Sequence, residues 1–449
     1  MKTTRAIGLG ALLFGVALTG AGGALAQYKK PYAIKGEAAV PVAATPASTA
    51  HFTCELRPFD GSKGIVCYGP DAIRKAYGLD GIIAGGINGT GQTIVIIDAY
   101  GSPTLEADVQ AFSALFGLPP ADITQIRMPG STPFDFNDNN QLGWAEESSL
   151  DVQWAHAIAP GAKIILVAAA TNNDDDMLAA QNYAISQKLG SILSESFGES
   201  ELALQQLGPA GQAIFDANEK SYKTAGDHKI SVLVSAGDDG AAGFDVNGVL
   251  QTVPVANYPA SSPNVTTVGG TNLFFGTATN ATPNGTYQGE VVWNEGPGSA
   301  TGGGISKQFR LPDYQEGTKH LIPTSTGRGY PDVAYNAGVF GGVIVRLGFF
   351  GGFFVFGGTS AGAPQWAGIT ALINQASKQP AGFLNKSLYK LGKLGVLQPL
   401  MHDITVGDNS DLDDGVVGFS AQPGWDYTTG WGTPNAGLLG ALMKDNGKN

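Results

Sequence analysis

The sequence predicts an α/β protein: a doubly wound, mostly parallel sheet with helices on both faces, in a single large domain. Three observations point there. Four strand-length runs, Thr93–Ile97, Lys163–Ala168, Ser191–Ser194 and Ile230–Val234, are apolar almost throughout instead of alternating, as strands covered on both sides must be. Stretches of helical period separate them, the arrangement of βαβ units. The chain of 449 residues is 43% hydrophobic yet holds 65 Gly and 25 Pro, so it can bury a large core while turning often. Its 26 Lys and Arg against 38 Asp and Glu leave a net charge of −12, the wrong sign for a nucleic-acid partner.

Along the chain, residues 1–26 have the form of an export signal: Lys2 and Arg5, then an apolar stretch from Ile7 to Leu18, then Ala24-Leu25-Ala26 ahead of Gln27. The expected location is therefore secreted or periplasmic, with no membrane association once the signal is removed. Residues 27–67 form a second unit. From Gln27 to about His51 they are rich in Ala, Pro and Val without periodicity, which predicts an extended linker or short pro-segment. Cys54 and Cys67, the only cysteines, close that unit and are expected to form one disulfide in an oxidising compartment. The domain proper is expected over residues 68–449.

Within it, Glu146–Trp154 reads as helix and sets Glu147 and Asp151 four apart, hence on one face. Two like charges there either decorate a solvated surface or share a proton beside a reacting group. After the run Ile230–Val234 comes Ser235-Ala236-Gly237-Asp238-Asp239-Gly240, at the carboxyl end of a strand where ligands collect in parallel sheets. Gly338–Gly358 is long enough to span a bilayer, but eight of its 21 residues are glycine. Val343–Leu347 and Phe353–Phe356 instead predict a buried hairpin. The hairpin leads into Gly357-Gly358-Thr359-Ser360-Ala361-Gly362, followed by helix-like sequence to Ile373. A serine between a glycine turn and a helix start faces free N–H groups that would stabilise developing negative charge, although it could serve only as an N-cap. None of the histidines, His51, His156, His228, His320 and His402, lies in a glycine-flanked motif that would mark a partner base.

The chain from about Tyr68 to Gly440 resembles the sedolisins, serine-carboxyl peptidases with a subtilisin-like fold. The resemblance rests on Glu147-Ser148-Ser149-Leu150-Asp151-Val152, Ala159-Pro160-Gly161-Ala162, Ser235-Ala236-Gly237-Asp238, Tyr258-Pro259-Ala260-Ser261-Ser262-Pro263, Val268-Gly269-Gly270-Thr271, Gly302-Gly303-Gly304-Ile305-Ser306, Pro331-Asp332-Val333-Ala334 and the Ser360 loop, in that order. It implies Ser360 as nucleophile, Glu147 as general base, Asp151 as the residue that orients and tunes Glu147, and Asp238 as oxyanion stabiliser. A carboxylate base of ordinary pKa about 4.3 stays competent where histidine, at about 6.5, is protonated, so the implied activity is an endopeptidase working in acid. Asp98, at the end of the Thr93–Ile97 run, stands where a subtilisin-like enzyme keeps its triad aspartate.

His402-Asp403-Ile404 and Pro423-Gly424-Trp425-Asp426-Tyr427 are similar to the family's calcium site. The resemblance implies one structural Ca²⁺ held by the side chains of Asp403 and Asp426 and by main-chain oxygens of Ile404, Gln422 and Gly424, an oxygen-only set suited to that ion. Polypeptides are the implied substrates, and a monomer is expected. Two other readings stay open on the residues alone. One is an Asp/His/Ser subtilase, which would leave Glu147 and Asp151 idle. The other is a secreted, calcium-stabilised binding protein that keeps the fold without catalysis.

Overall fold

The computed structural model describes residues 29–42, 50–57, 65–275, 287–318, 326–397 and 400–435. The signal-like residues 1–26 lie outside them. An eight-stranded sheet runs Tyr287–Val292, Thr266–Phe275, Ser231–Ser235, Ile192–Glu195, Thr93–Ala99, Lys163–Ala169, Asp122–Arg127, with Val333–Asn336 paired to Thr266–Phe275 as well. Every pairing is parallel except that of Tyr287–Val292.

Alternate residues of each central strand enter different cores, which is why the runs are apolar throughout. Ile94 and Ile96 pack on one side, with Leu150, Trp154 and Ile158 of the helix Asn139–Ile158 and Trp366 and Ile369 of the helix Gly362–Ser377. Val95, Ile97 and Ala99 pack on the other, with Met177 and Ala184 of the helix Asp174–Ser186 and Phe215 and Tyr222 of the helix Pro209–Asp227. A Cβ on Gly368 would come within 2.7 Å of the Ile158 Cβ, so glycine there lets the first two helices approach closely. Thr93–Ala99 is the strand where the order reverses, with Lys163–Ala169 on one side and Ile192–Glu195 on the other. The crevice beyond the carboxyl ends at such a point is where an open α/β sheet holds its ligand.

The predicted hairpin is present: Gly341–Leu347 pairs antiparallel with Gly352–Gly357, inside a second sheet that adds Val66–Tyr68 at one edge and Ile34–Ala38 at the other. Cys54 and Cys67 are joined, tying the short helix Thr53–Leu56 to the strand Val66–Tyr68. These pairings correct two expectations. The boundary between residues 67 and 68 cuts through a strand whose three residues pair with Gly341–Val343, so the domain begins before Tyr68. The stretch read as an extended linker or short pro-segment is, in its described residues, folded onto the domain, with Lys30–Pro31 against Phe197–Ser200 and Ile34–Ala38 in the hairpin sheet, which removes the linker alternative alone. Segments of two and five residues are too short to show a period, and their partners lie more than a hundred residues away.

Candidate active site

Glu147 and Asp151 belong to the helix Asn139–Ile158, capped by the Asp138 side chain on the N–H groups of Asn140 and Gln141. Both are fully buried, which removes the solvated-face reading. Asp98, at the end of the central strand, is buried beside them. Burial pushes the Asp98 carboxyl up to about 7. Glu147 is raised well above the carboxylate range by burial and then by the charge of Asp98, against the opposing effects of the Ser360 hydroxyl, the Ala33 N–H and Asp151. Asp151 is raised likewise by burial, then by Glu147 and Asp98. Three carboxyls in one dry cluster cannot all ionise, so they hold protons in common.

Ser360 sits in the turn Thr359–Ala361 at the start of the helix Gly362–Ser377. Gly358 takes φ 99°, a region that favours glycine, to bring the hairpin strand into that turn. The Ser360 Oγ lies 3.4 Å from the Ser196 carbonyl. Asp238, in the loop after Ser231–Ser235, is anchored to the same turn: its Oδ1 accepts from the Thr359 N–H at 2.8 Å and from the Thr359 hydroxyl at 2.7 Å. Its Oδ2 is buried without a hydrogen-bond partner among the described residues. Burial lifts Asp238 to about 8, so below that pH the carboxyl is neutral and able to donate.

Across these groups lies the chain's own backbone. Lys30–Pro31 pairs antiparallel with Phe197–Ser200, and the Tyr32 N–H donates to the Ser196 carbonyl at 3.3 Å. The N–H groups of Tyr32 and Ala33 both reach the Glu147 Oε2 at 2.7 Å. A side chain on Gly358 would run into both the Tyr32 carbonyl oxygen and the Asp238 Oδ2, which places that carbonyl and that carboxyl against the same Cα. The Tyr32–Ala33 peptide thus has its nitrogen on a carboxyl beside the serine and its oxygen beside a second carboxyl.

The structure brings together Ser360, Glu147, Asp151 and Asp238, four residues that the sequence scatters over more than two hundred positions. Among the described residues no histidine joins them. His320 lies outside the described residues, His156 is buried on the Pro119 carbonyl with its pKa lowered by burial to about 4, His402 stacks on Tyr287, His228 caps a helix and His51 faces Glu55. Sequence reasoning missed the segment Lys29–Ala33, and with it Asp174 and Glu199, which enclose Lys29. The pair Lys29-Lys30 ahead of an apolar stretch was the only signal there, and it is a weak one.

Asp403 and Asp426 grip one turn. Both oxygens of Asp403 accept from the Gly424 N–H, at 3.1 and 2.9 Å, and the Asp426 Oδ2 accepts from the Gln422 N–H at 3.1 Å. The carbonyl oxygens of Ile404, Gln422 and Gly424 accept no hydrogen bond among the described residues. Two carboxylates and three uncommitted carbonyls around one turn fit a hard, oxygen-seeking cation. Among the described residues no group of three or more His, Cys, Asp and Glu side chains gathers to hold a metal, so an ion here would depend on those carbonyls.

The signature of the Subtilase family matches residues 134–432. Kumamolisin of Bacillus sp. is 35% identical over 386 residues, covering 84% of this chain and 64% of that protein. Sedolisin of Pseudomonas sp. is 30% identical over 366 residues, covering 79% of this chain and 58% of that one. Human tripeptidyl-peptidase 1 is 37% identical over 234 residues, covering 48% of this chain and 37% of its own length. The chain therefore spans less than two thirds of the length of these curated relatives. Among solved structures, Pseudomonas sedolisin, a serine-carboxyl proteinase complexed with two molecules of pseudo-iodotyrostatin, superposes with a TM-score of 0.72 at 28% identity, covering 86% of this chain and all of that one.

Proposed function

Since this chain belongs to the sedolisin branch of the Subtilase family, we propose that it is an exported endopeptidase that cleaves polypeptides in acid through an acyl-enzyme on Ser360. The observation that carries the reading is the Tyr32–Ala33 peptide, held with its nitrogen on Glu147 and its oxygen beside Asp238. In a substrate at that position, the Ser360 Oγ attacks the carbonyl carbon as Glu147 takes the hydroxyl proton. Asp238, neutral, donates from Oδ2 to the oxyanion. The C–N bond then breaks, and the proton on Glu147 passes to the leaving amine, the group that the Ala33 nitrogen represents. Water enters and attacks the acyl carbon as it gives a proton to Glu147, and Glu147 passes that proton to the Ser360 oxygen as the C–O bond breaks and the acid leaves. Asp151 and Asp98 hold protons next to Glu147 and tune when it ionises.

The pH window follows from opposite demands on two carboxyls. Glu147 must be ionised to act as base, so activity is lost as pH falls through its pKa. Asp238 must be protonated to donate, so activity is lost as pH rises through its pKa, about 8 while the cleft is filled and lower once water enters. Burial raises Glu147 while the cleft is filled. Clearing the cleft admits water, weakens that effect and moves the lower limit toward acid. Residues 1–26 have the form of an export signal, and no helix among the described residues is long and apolar enough to cross a membrane. Asp403, Asp426 and the carbonyls of Ile404, Gln422 and Gly424 would hold one structural Ca²⁺, which neutralises the two carboxylates and fixes the turn they grip. A monomer suffices, since every residue invoked comes from one chain.

The test is cleavage of a denatured protein from pH 2.5 to 8 by the wild-type chain, Ser360→Ala and Glu147→Gln. Activity peaking in acid and abolished by both substitutions is the expected result. Activity above pH 7 that survives Glu147→Gln would sink the carboxyl base.

A further inference from the structure

We infer that the buried acidic pocket formed by Asp174 and Glu199 is a specificity site that takes a cationic side chain, lysine or arginine, four residues before the cleaved bond; this rests on the peptidase reading above. The position is fixed by register. With Tyr32–Ala33 across the reacting groups, Tyr32 binds the Ser196 carbonyl, Pro31 stands opposite Phe197 and Lys30 opposite Gly198. Counting back from the bond, Lys29 is the fourth residue. Asn172 holds it on both sides of its backbone, taking the Lys29 N–H on its carbonyl at 3.0 Å and giving its side-chain amide to the Lys29 carbonyl at 2.9 Å. That asparagine is itself braced by Tyr100 and Asn140.

The side chain then turns inward. Lys29 is 2% exposed, with its ammonium 2.9 Å from the Asp174 Oδ1, bonded to Glu199 and 5.3 Å from the centre of the Tyr258 ring. Both acids stand on rigid elements, Asp174 in the first turn of a helix and Glu199 on the strand that pairs with the incoming peptide. Glu195, which the Lys29 charge also reaches, is engaged by the Tyr222 hydroxyl at 2.7 Å. A neutral side chain at this position would leave Asp174 and Glu199 buried without the ammonium that both contact, which costs more than a lost surface pair. The neighbouring Lys30 shows the contrast: its bond to Asp239 is made by a side chain 48% exposed, and such a pair discriminates little.

Two measurements test the pocket. The first is cleavage of internally quenched peptides containing Lys-Lys-Pro-Tyr-Ala or the same sequence with norleucine in place of the first lysine. The wild-type chain should cleave the norleucine peptide with kcat/KM about 30-fold lower or less, and Asp174→Asn with Glu199→Gln should erase the difference. The second is hydrogen exchange in the Ser360→Ala chain, where Lys29→Met should speed exchange at the Tyr32 and Ala33 amides about tenfold or more and Lys29→Arg should not. Equal kcat/KM for the two peptides overturns the specificity site and leaves the peptidase standing. Cleavage of neither overturns the peptidase reading, and unchanged exchange in Lys29→Met overturns the pocket independently of activity.

Discussion

Two buried clusters of carboxyls flank the same short stretch of backbone, and they handle their charge in different ways. On one side Asp98, Glu147 and Asp151 receive neutral donors, the N–H groups of Tyr32 and Ala33 and the hydroxyls of Ser148, Ser196 and Ser360, and burial raises all three. On the other, Asp174 and Glu199 close on the Lys29 ammonium, whose pKa is raised because those two charges outweigh its own burial. The residue types match; what differs is whether a cation fits. Where none does, the acids keep protons that can be moved, and where one does, an ammonium is enclosed that the pocket can recognise. Chemistry and selection are thus separated along one peptide by four residues.

The widest break of that contrast is at the catalytic cluster. Ser360→Ala or Glu147→Gln should lower kcat by about 10⁴-fold or more, read on any peptide the wild-type chain cleaves. A residual rate within an order of magnitude of wild type would mean that these side chains are not the reacting groups. Smaller is the expected effect at Asp238, where Asp238→Ala should cost about 10²–10³-fold. Asp238→Asn carries the sharper information. Its amide donates at every pH, so the fall in activity expected on the alkaline side from loss of the Asp238 proton should vanish. Persistence of that limb in Asp238→Asn would assign it to another group.

How much of this was readable in the sequence depends on how far each feature reaches along the chain. The central strands were legible because burial on both faces writes an unbroken apolar run, seen in Ile94 and Ile96 against one core and Val95 and Ile97 against the other. Ser360, Glu147, Asp151 and Asp238 were legible as candidates through the resemblance, since each sits in one of the local motifs that carry it. That Glu147 and Asp151 face inward was not, since their spacing fits a solvated face equally well. Lys29 was illegible for a stronger reason: its partner Glu199 lies 170 residues away, and the segment takes its hydrogen bonds from a strand edge that it joins for two residues only. Asp98 announced its position at a strand end but not its company.

At the turn bearing Asp403 and Asp426 the consequence expected is stability alone. Removing calcium with EGTA, or Asp403→Asn, should lower the Tm of the Ser360→Ala chain by several degrees while leaving KM of the active chain unchanged. A Tm indifferent to EGTA would take calcium out of the account.

The smallest effect bears on both acidic clusters together. Asp98 and Glu195 are raised to about 7, and Asp238 and Glu199 to about 8, in each case chiefly by burial, whereas unfolded carboxyls titrate near 4. The folded chain therefore binds more protons than the unfolded chain between about pH 4 and 8. Stability is fully present below the unfolded values and is lost as pH rises through the folded ones, so the Ser360→Ala chain in EGTA should melt several degrees lower at pH 8 than at pH 4.5. Lys29 lowers Glu199, so Lys29→Met raises that carboxyl further and steepens the slope, whereas a change confined to the catalytic cluster leaves the Glu199 contribution in place. Scanning calorimetry across that range reads both, and a Tm that climbs with pH would show that the buried acids are paired with charge rather than with protons.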